Sequence, residues 1–346
     1  MEVDSIVSCK LLFGSAVSGE SVGILMRSRL QSAARRLGFS DSARDDMALV
    51  AAEMISNQIK HAEGKGMLQI WQQPGPALDL VAYDYGPGIA NIQAASQDGF
   101  STTKTLGKGL GSIARLSDES AAYSIPRGNP REQKWHGALF WARFYLHAPK
   151  PRANGVRART ALFTRALSDD RYNGDRVVLD VDEHQLRWMH FDGLGHGAEA
   201  QQVTSHLENL LPQSESPAEL FGVLDKRFAA TRGAVAILGR IDCATRKGEL
   251  LGVGDMNAQL VLDDVPQSIH FAPGIVGKEH KTPQLSKFAF SKKATLVTAS
   301  DGIRRGWHPD HFPGLFNQHP QVIAYVIGNT MGRVSDDQSL CVMQVH

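Results

Sequence analysis

Two hydrophobic periods alternate along the chain, and the switches between them mark out its elements. Residues 7–13 form a short apolar run that reads as a strand. Val22, Leu25, Met26, Leu30, Ala33 and Leu37 then recur at helical spacing, with Ser18 or Ser21 as cap and Gly38 as stop. Ser40 or Asp41 caps a second helix that runs to about His61, with Met47, Val50, Ala51, Met54 and Ile55 on its apolar face. Residues 67–71 and 78–83 read as strands joined through Gln73-Pro74-Gly75-Pro76. A short helical segment follows Ile89, then a polar, glycine-rich loop from Asp98 to Gly111 that opens into a helix near Leu110. Strands at 121–125 and 137–146 close this half.

The second half reads mostly as strands, at 160–166, 176–181, 186–191, 234–241, 247–253, 258–262, 288–290, 295–299 and 340–345. Helical patterns interrupt them at 198–211, 217–230 and 321–331. Strand runs broken by long helices predict an α+β class, here two antiparallel sheets covered by helices. Between the halves, His147-Ala148-Pro149-Lys150-Pro151 is poor in apolar residues and carries two prolines. It reads as a linker, giving domains at 1–147 and 158–346 with 148–157 between them. The 346-residue length agrees, since domains run to about 100–200 residues each.

A net charge of +1 gives no basic surface for nucleic acid and none for a membrane. No apolar run approaches the ~18–20 residues that span a bilayer, and the acidic N-terminus carries no signal-peptide pattern. Cys9, Cys243 and Cys341 lie far apart, in no metal or redox spacing. A reducing, cytoplasmic setting is the expectation.

Candidate chemistry centres on Met189-His190-Phe191-Asp192-Gly193-Leu194-Gly195-His196-Gly197. A strand that ends on a carboxylate, turns on glycine and enters a helix suits a hard cation: Asp192 offers an oxygen, and Gly193 brings its carbonyl close without a Cβ in the way. Further carboxylates stand at strand or turn boundaries: Asp175, Asp301 and Asp336, with Asp337 adjacent to the last. In the first half, Glu53, Asn57 and His61 share one helix face at i, i+4, i+8. Asn is a poor helix-interior residue, which singles out Asn57. A strand ending on Asp84-Tyr85-Gly86-Pro87-Gly88 precedes the glycine loop, and a glycine-rich loop entering a helix offers N–H groups to phosphate.

In this order, Glu53-Met54-Ile55-Ser56-Asn57, Asp84-Tyr85-Gly86-Pro87-Gly88-Ile89 and Gly107-Lys108-Gly109-Leu110-Gly111 resemble the N box and two glycine boxes of the GHKL (Bergerat) ATP-binding superfamily. The resemblance covers essentially the whole first domain and implies an α/β sandwich that binds ATP and Mg²⁺. It gives Asn57 as Mg²⁺ ligand, Asp84 as acceptor of the adenine amino group and Glu53 as general base. Gly86 and Gly88 would lie against the nucleotide, and Gly107, Gly109 and Gly111 would cradle the phosphates, with Lys108 adding charge. Gln97-Asp98-Gly99-Phe100-Ser101-Thr102 and Arg115-Leu116-Ser117-Asp118-Glu119 point, within the superfamily, to the Rsb/SpoIIAB-type switch serine kinases, anti-sigma kinases that phosphorylate STAS-domain partners. Few residues precede the first strand, so a phosphoacceptor His on an upstream hairpin is not expected. By the same resemblance a homodimer through this domain is expected.

Gly174-Asp175, Asp192-Gly193-x-Gly195-His196-Gly197, Gly252-Val253-Gly254, Ser300-Asp301-Gly302 and Asp336-Asp337-Gln338-Ser339 resemble the SpoIIE-like branch of the protein phosphatase 2C (PPM) Ser/Thr phosphatases. The resemblance implies a β-sandwich flanked by helices. Two Mn²⁺ or Mg²⁺ ions would be held by Asp175, Asp192, the Gly193 carbonyl, Asp301 and Asp336, with Asp337 as the second choice for the last. His196 is either a proton shuttle or structural. The combined expectation is a kinase and an opposing, stressosome-type phosphatase on one chain, acting on a STAS-domain phosphoprotein. The alternative keeps the phosphatase and makes the first domain an ATP-sensing or docking module.

Overall fold

The computed structural model describes residues 9–19, 21–92, 106–128, 134–148, 158–182, 184–262 and 265–345, with the backbone alone for 106–109. The helical segment expected after Ile89, most of the loop at 98–105 and the linker lie outside the described residues. Contacts divide the chain into two compact units. The first is Met1–Pro149 together with Asp310–Val322, and the second is Lys150–Pro309 together with Ile323–His346.

In the first unit, helix α2 (Asp41–His61) starts at Ser40, whose side chain accepts from the Ala43 N–H at 3.2 Å. That bond satisfies one of the helix's orphan donors. Its predicted apolar residues are all buried, and they share a core with Met26 and Leu30 of α1 (Ser21–Leu37) and with Leu110 and Ile113 of α3 (Leu106–Leu116). These helices cover one face of an antiparallel sheet in the order β1-β2-β3-β5-β4, formed by β1 (Lys10–Val17), β2 (Gly66–Gln73), β3 (Ala77–Asp84), β4 (Glu119–Ile125) and β5 (Gly137–Tyr145). Alternation along the strands sends Leu68, Ile70, Leu78, Leu80, Phe140 and Phe144 to that core. β1 is displaced toward the C-terminus from the predicted run at 7–13. It is an edge strand with a bulge between Leu11 and Phe13 and a half-exposed pattern, so no continuous apolar run marks its second half.

The opposite face of this sheet is covered as well. Asp79 on β3 is fully buried and paired twice by Arg143 on β5, at 2.6 and 2.7 Å. Arg143 also donates to Gln321 Oε1 at 2.9 Å, Trp141 stacks on His319 with centroids 4.7 Å apart, and Tyr123 donates its hydroxyl to the Pro313 carbonyl at 3.0 Å. Residues 310–322 therefore close a face that the first part of the sequence leaves open.

The second unit has two five-stranded antiparallel sheets. One runs β13-β10-β9-β8-β7, from β7 (Arg176–Val181), β8 (Gln185–Gly193), β9 (Ala234–Asp242), β10 (Lys247–Val253) and β13 (Ser286–Ala289). The other runs β12-β11-β14-β15-β6, from β6 (Ala158–Arg165), β11 (Asn257–Leu262), β12 (Val265–Ile269), β14 (Ala294–Ala299) and β15 (Gln338–Val345). On β8, Phe191 meets Phe228 of helix α5 (Pro217–Phe228) edge to face at 5.9 Å. Its neighbour His190 points the other way, to Thr298 and Ser339 of the second sheet. Phe163 on β6 meets Tyr325 of helix α6 (Pro320–Met331) at 6.5 Å. The layers are thus helix, sheet, sheet, helix, as the α+β expectation has it. The predicted helix at 198–211 ends early: α4 covers Ala198–Thr204 only. Thr204 donates its hydroxyl to the carbonyls of Gly174 and Gln201, Ser205 donates to that of Gln201, and His206 has φ +57°. Side chains that bond back to the backbone compete with continued helix.

Candidate functional site

The end of β3 carries Asp84, with Gly86 and Gly88 in the turn that follows. Asp84 is buried, and its Oδ1 accepts from the N–H groups of Gly86 at 2.8 Å and Ala138 at 3.2 Å. Burial pushes its carboxyl above the ordinary value, and those two bonds pull the other way. The turn that follows is pinned: Ile89 N–H donates to Ser124 Oγ at 2.7 Å, and Arg127 N–H to the Pro87 carbonyl at 2.8 Å. Gly88 has φ +72°, and a Cβ there would stand 2.3 Å from the Ile125 carbonyl oxygen, so the turn cannot come this close to β4 with another residue.

Helix α2 brings Asn57 and half-buried Glu53 on one face, one turn apart. Asn57 is buried, and its Nδ2 has no hydrogen-bond partner among the described residues. An orphaned buried amide is unusual, and a bound polar ligand would satisfy it. His61, exposed at the end of α2, is pulled below its ordinary pKa by burial and by Lys60, with Asp84 opposing. The glycine run departs from expectation. Gly107, Lys108, Gly109 and Gly111 stand in the first turns of α3, not in a loop. Leu110 and Ile113 bury one face of that helix in the core, and this packing outweighs the cost of helical glycine. Phosphate at this place would meet the free N–H groups of a helix N-terminus. The Lys108 side chain lies outside the described residues.

In the second unit, antiparallel register builds the acidic centre from both sheets. Arg176 pairs with Phe191, so Asp175 and Asp192 are the next residues at that end of β7 and β8, and Gly193 N–H donates to the Gly174 carbonyl at 3.2 Å. Ala299 pairs with Leu340, and Ser300 N–H donates to the Ser339 carbonyl at 3.1 Å, which places Asp301 and Asp336 at the matching end of β14 and β15. A Cβ on Gly193 would stand 2.7 Å from the Ala200 carbonyl oxygen, so α4 packs against the turn only because that residue is glycine.

Burial, and then the charges of Asp175, Asp301, Asp336 and Asp255, push the Asp192 carboxyl up to about 10. Burial pushes Asp175 up to about 7; Asp337 and Asp301 add to this, and hydrogen bonds from Ser300 and Ser339 oppose it. Asp336, half-buried, is raised by burial and by Asp301. Asp337 holds backbone with both oxygens: its Oδ1 accepts from Leu167 N–H at 2.7 Å and its Oδ2 from Gly174 N–H at 2.8 Å. Among the described residues no three His, Cys, Asp or Glu side chains converge on one point, so the set is not a closed cage. The donors fit hard ions that keep several waters and take only one or two carboxylates each. The buried Oδ2 of Asp175 has no partner among the described residues, an oxygen that such an ion would satisfy. His196 is exposed and takes no part in these contacts. Asp255 and His190 were missed from the sequence. For Asp255 the signal was its place directly after the Gly252-Val253-Gly254 turn.

These carboxyls give a pH prediction. Asp175 and Asp192 titrate near 7 and 10 when folded, against an ordinary 3.8. The folded state therefore holds more protons than the unfolded state from pH 3.8 to about 10, and metal-free stability falls as pH rises through that window. Melting of the chain in chelator is expected at lower temperature at pH 9 than at pH 5. Excess Mn²⁺ should recover most of the difference; a melting point that rises with pH would count against this reading of the cluster.

Residues 20–130 match the family described as histidine kinase-like ATPase domain. The serine/threonine-protein kinase RsbT of Bacillus subtilis (strain 168) is 34% identical over 98 residues, 28% of this chain and 73% of RsbT. Among solved structures, a chain from "The bacterial stressosome: a modular system that has been adapted to control secondary messenger signaling" is 23% identical, covering 54% of this chain and 98% of its own, with TM-score 0.49. RsbX in complex with magnesium is 16% identical, covering 55% of this chain and 96% of its own, with TM-score 0.48. Through its first domain, then, the chain belongs to the RsbT family of histidine kinase-like ATPase domains.

Proposed function

We propose that the chain is a two-way regulator of a partner switch. Its first domain transfers phosphate from ATP to Ser or Thr of a STAS-domain partner, and its second removes that phosphate in a metal-dependent reaction. The observation that carries the phosphatase half is the acidic centre drawn from both sheets, where burial, and then the neighbouring carboxylates, push the Asp192 carboxyl up to about 10. Asp192, Asp175, Asp301 and Asp336 would hold divalent cations, whose charge would offset the crowding of carboxylates there.

Bound Mn²⁺ or Mg²⁺ would supply a water of lowered pKa and positive charge facing the phosphoryl oxygens. The chain's own part is to hold the donors. Asp192 and Asp175 stand side by side on one sheet, Asp301 and Asp336 on the other, and Asp337 ties the turn at Gly174 in place. In the kinase half, Asp84 presents a fixed carboxylate to the adenine amino group, and Asn57 faces the Mg²⁺–phosphate end. Glu53 accepts the proton of the attacking hydroxyl as its oxygen bonds to the γ-phosphorus and ADP leaves. RsbT is a serine/threonine kinase, which supports this half.

The test uses full-length protein carrying Asp192→Asn, labelled ATP and a purified STAS-domain protein. Label should appear on the partner's Ser or Thr, and wild-type protein with Mn²⁺ should remove it. Adding Glu53→Ala should slow transfer by about 10²–10⁴-fold while ATP still binds. Unchanged transfer in that variant would remove Glu53 from the mechanism. ATP binding without transfer in either protein would leave the first domain as a docking or sensing module.

A further inference from the structure

His190 is wholly buried in β8, two residues before Asp192, and nothing above uses it. It is a polar side chain between two sheets, and both ring nitrogens are occupied: Nδ1 lies 2.8 Å from Thr298 Oγ1, and Nε2 lies 2.7 Å from Ser339 Oγ. Burial keeps the ring neutral, so one nitrogen donates and the other accepts.

Which does which follows from the serines. Ser300 Oγ accepts the Ser339 N–H at 3.0 Å, leaving its own proton for Asp175. Ser339 also gives a hydrogen bond to Asp175. Since the Ser339 proton points to the carboxylate, its oxygen must accept from the ring. Nε2 then carries the hydrogen, and Nδ1 accepts from the Thr298 hydroxyl. The serine bonds engage one oxygen of Asp175, and Oδ2 is the oxygen left without a partner.

The geometry points to His190 as a positioning residue for the acidic centre. Its Nε2–H fixes the Ser339 hydroxyl onto Asp175, so that the free carboxylate oxygen of Asp175 is held ready for a divalent cation. The chain Thr298–His190–Ser339–Asp175 crosses from one sheet to the other and back, so it also fixes the two halves of the centre against each other. This role rests on the phosphatase reading. Groups that orient metal ligands in this way typically change metal affinity by about 10–100-fold when removed.

The test is Mn²⁺ binding to the full chain by calorimetry, beside phosphatase rates at rising Mn²⁺. His190→Leu keeps the volume but removes both bonds, and its Mn²⁺ affinity should fall by about 10–100-fold while the rate at saturating Mn²⁺ largely returns. His190→Gln keeps a donor and an acceptor and should bind Mn²⁺ within a few-fold of wild type. Ser339→Ala should lose affinity to the same extent as His190→Leu, and the double variant should lose little more, because the two act in one chain. Wild-type Mn²⁺ affinity in His190→Leu, with only a lower melting temperature, would overturn the relay and leave the phosphatase reading intact. No Mn²⁺ binding by the wild type would overturn both.

Discussion

Asp192→Asn should remove the proposed metal-dependent phosphatase activity and, in the same protein, make the metal-free chain more stable. The two effects have one cause. Asp192 is shared between burial and four neighbouring carboxylates, and its folded carboxyl holds a proton to about pH 10. At neutral pH the metal-free chain must take up that proton to fold, and an asparagine has none to take up. The advantage of the variant should vanish near pH 4 and grow as pH rises. With Mn²⁺ present the order reverses, because the missing charge weakens binding and with it the stabilisation that binding brings. Charge stabilisation by a metal site is worth several kcal/mol, so the rate should fall by roughly 10³-fold or more, at 1.36 kcal/mol per tenfold. Paired melting curves in chelator and in Mn²⁺, with rates on a phosphoserine peptide, read out both signs. A variant that is destabilised without metal and still active would show that the cluster is an ordinary buried network.

Arg143→Ala should be the most damaging single change in the first unit. It removes the guanidinium that pairs both oxygens of fully buried Asp79. Breaking one side of a buried pair costs about 3–5 kcal/mol. For a unit of this size that is a fall in melting temperature of roughly 6–20 °C. Arg143 does more than pair: its guanidinium lies over Trp141 at 5.1 Å and Tyr145 at 5.9 Å, and it holds Gln321 from the segment Asp310–Val322. The loss should therefore loosen that segment too, seen as faster amide exchange around Trp141 and His319. Replacing both partners by apolar residues, Asp79→Leu with Arg143→Met, should recover most of the stability, because no lone charge remains. If Arg143→Ala melts as wild type does, the pair contributes nothing, and the covered face is held by contacts such as the Trp141–His319 stacking and the Tyr123–Pro313 hydrogen bond.

Several features were legible in the sequence for clear reasons. The apolar stripe of α2 was readable because burial on one side imposes a 3.6-residue period. The acids stood out because each stands at a strand boundary beside a glycine or serine: Asp192 and Asp301 where a strand ends, Asp175 and Asp336 just before one starts. Register then did what spacing could not. Asp175 and Asp192 lie far apart in sequence but become neighbours because β7 and β8 pair antiparallel. The choice between Asp336 and Asp337 was open because adjacent acids at a turn look alike. Their hydrogen bonds differ in the folded chain, where Asp337 accepts from the Leu167 and Gly174 amides with its two oxygens.

Local sequence determined the α+β class, most of the helices and strands and the carboxylates and glycines that make the candidate sites, because periodicity and turn chemistry are properties of near neighbours. Only tertiary structure decided what lies far apart along the chain. It turned the glycine run at Gly107–Gly111 into the start of a helix, because Leu110 and Ile113 gain more from the core than glycine loses by becoming helical. It cut α4 short at Thr204, where the hydroxyl finds the Gly174 carbonyl. It brought residues 310–322 to the first unit, where Gln321 meets an arginine far upstream in sequence. It also placed a histidine that reads as one more strand residue between Thr298 and Ser339, where burial and two hydroxyls decide which nitrogen carries the proton. Each of these depends on burial and pairing across long sequence separations, which no local pattern records.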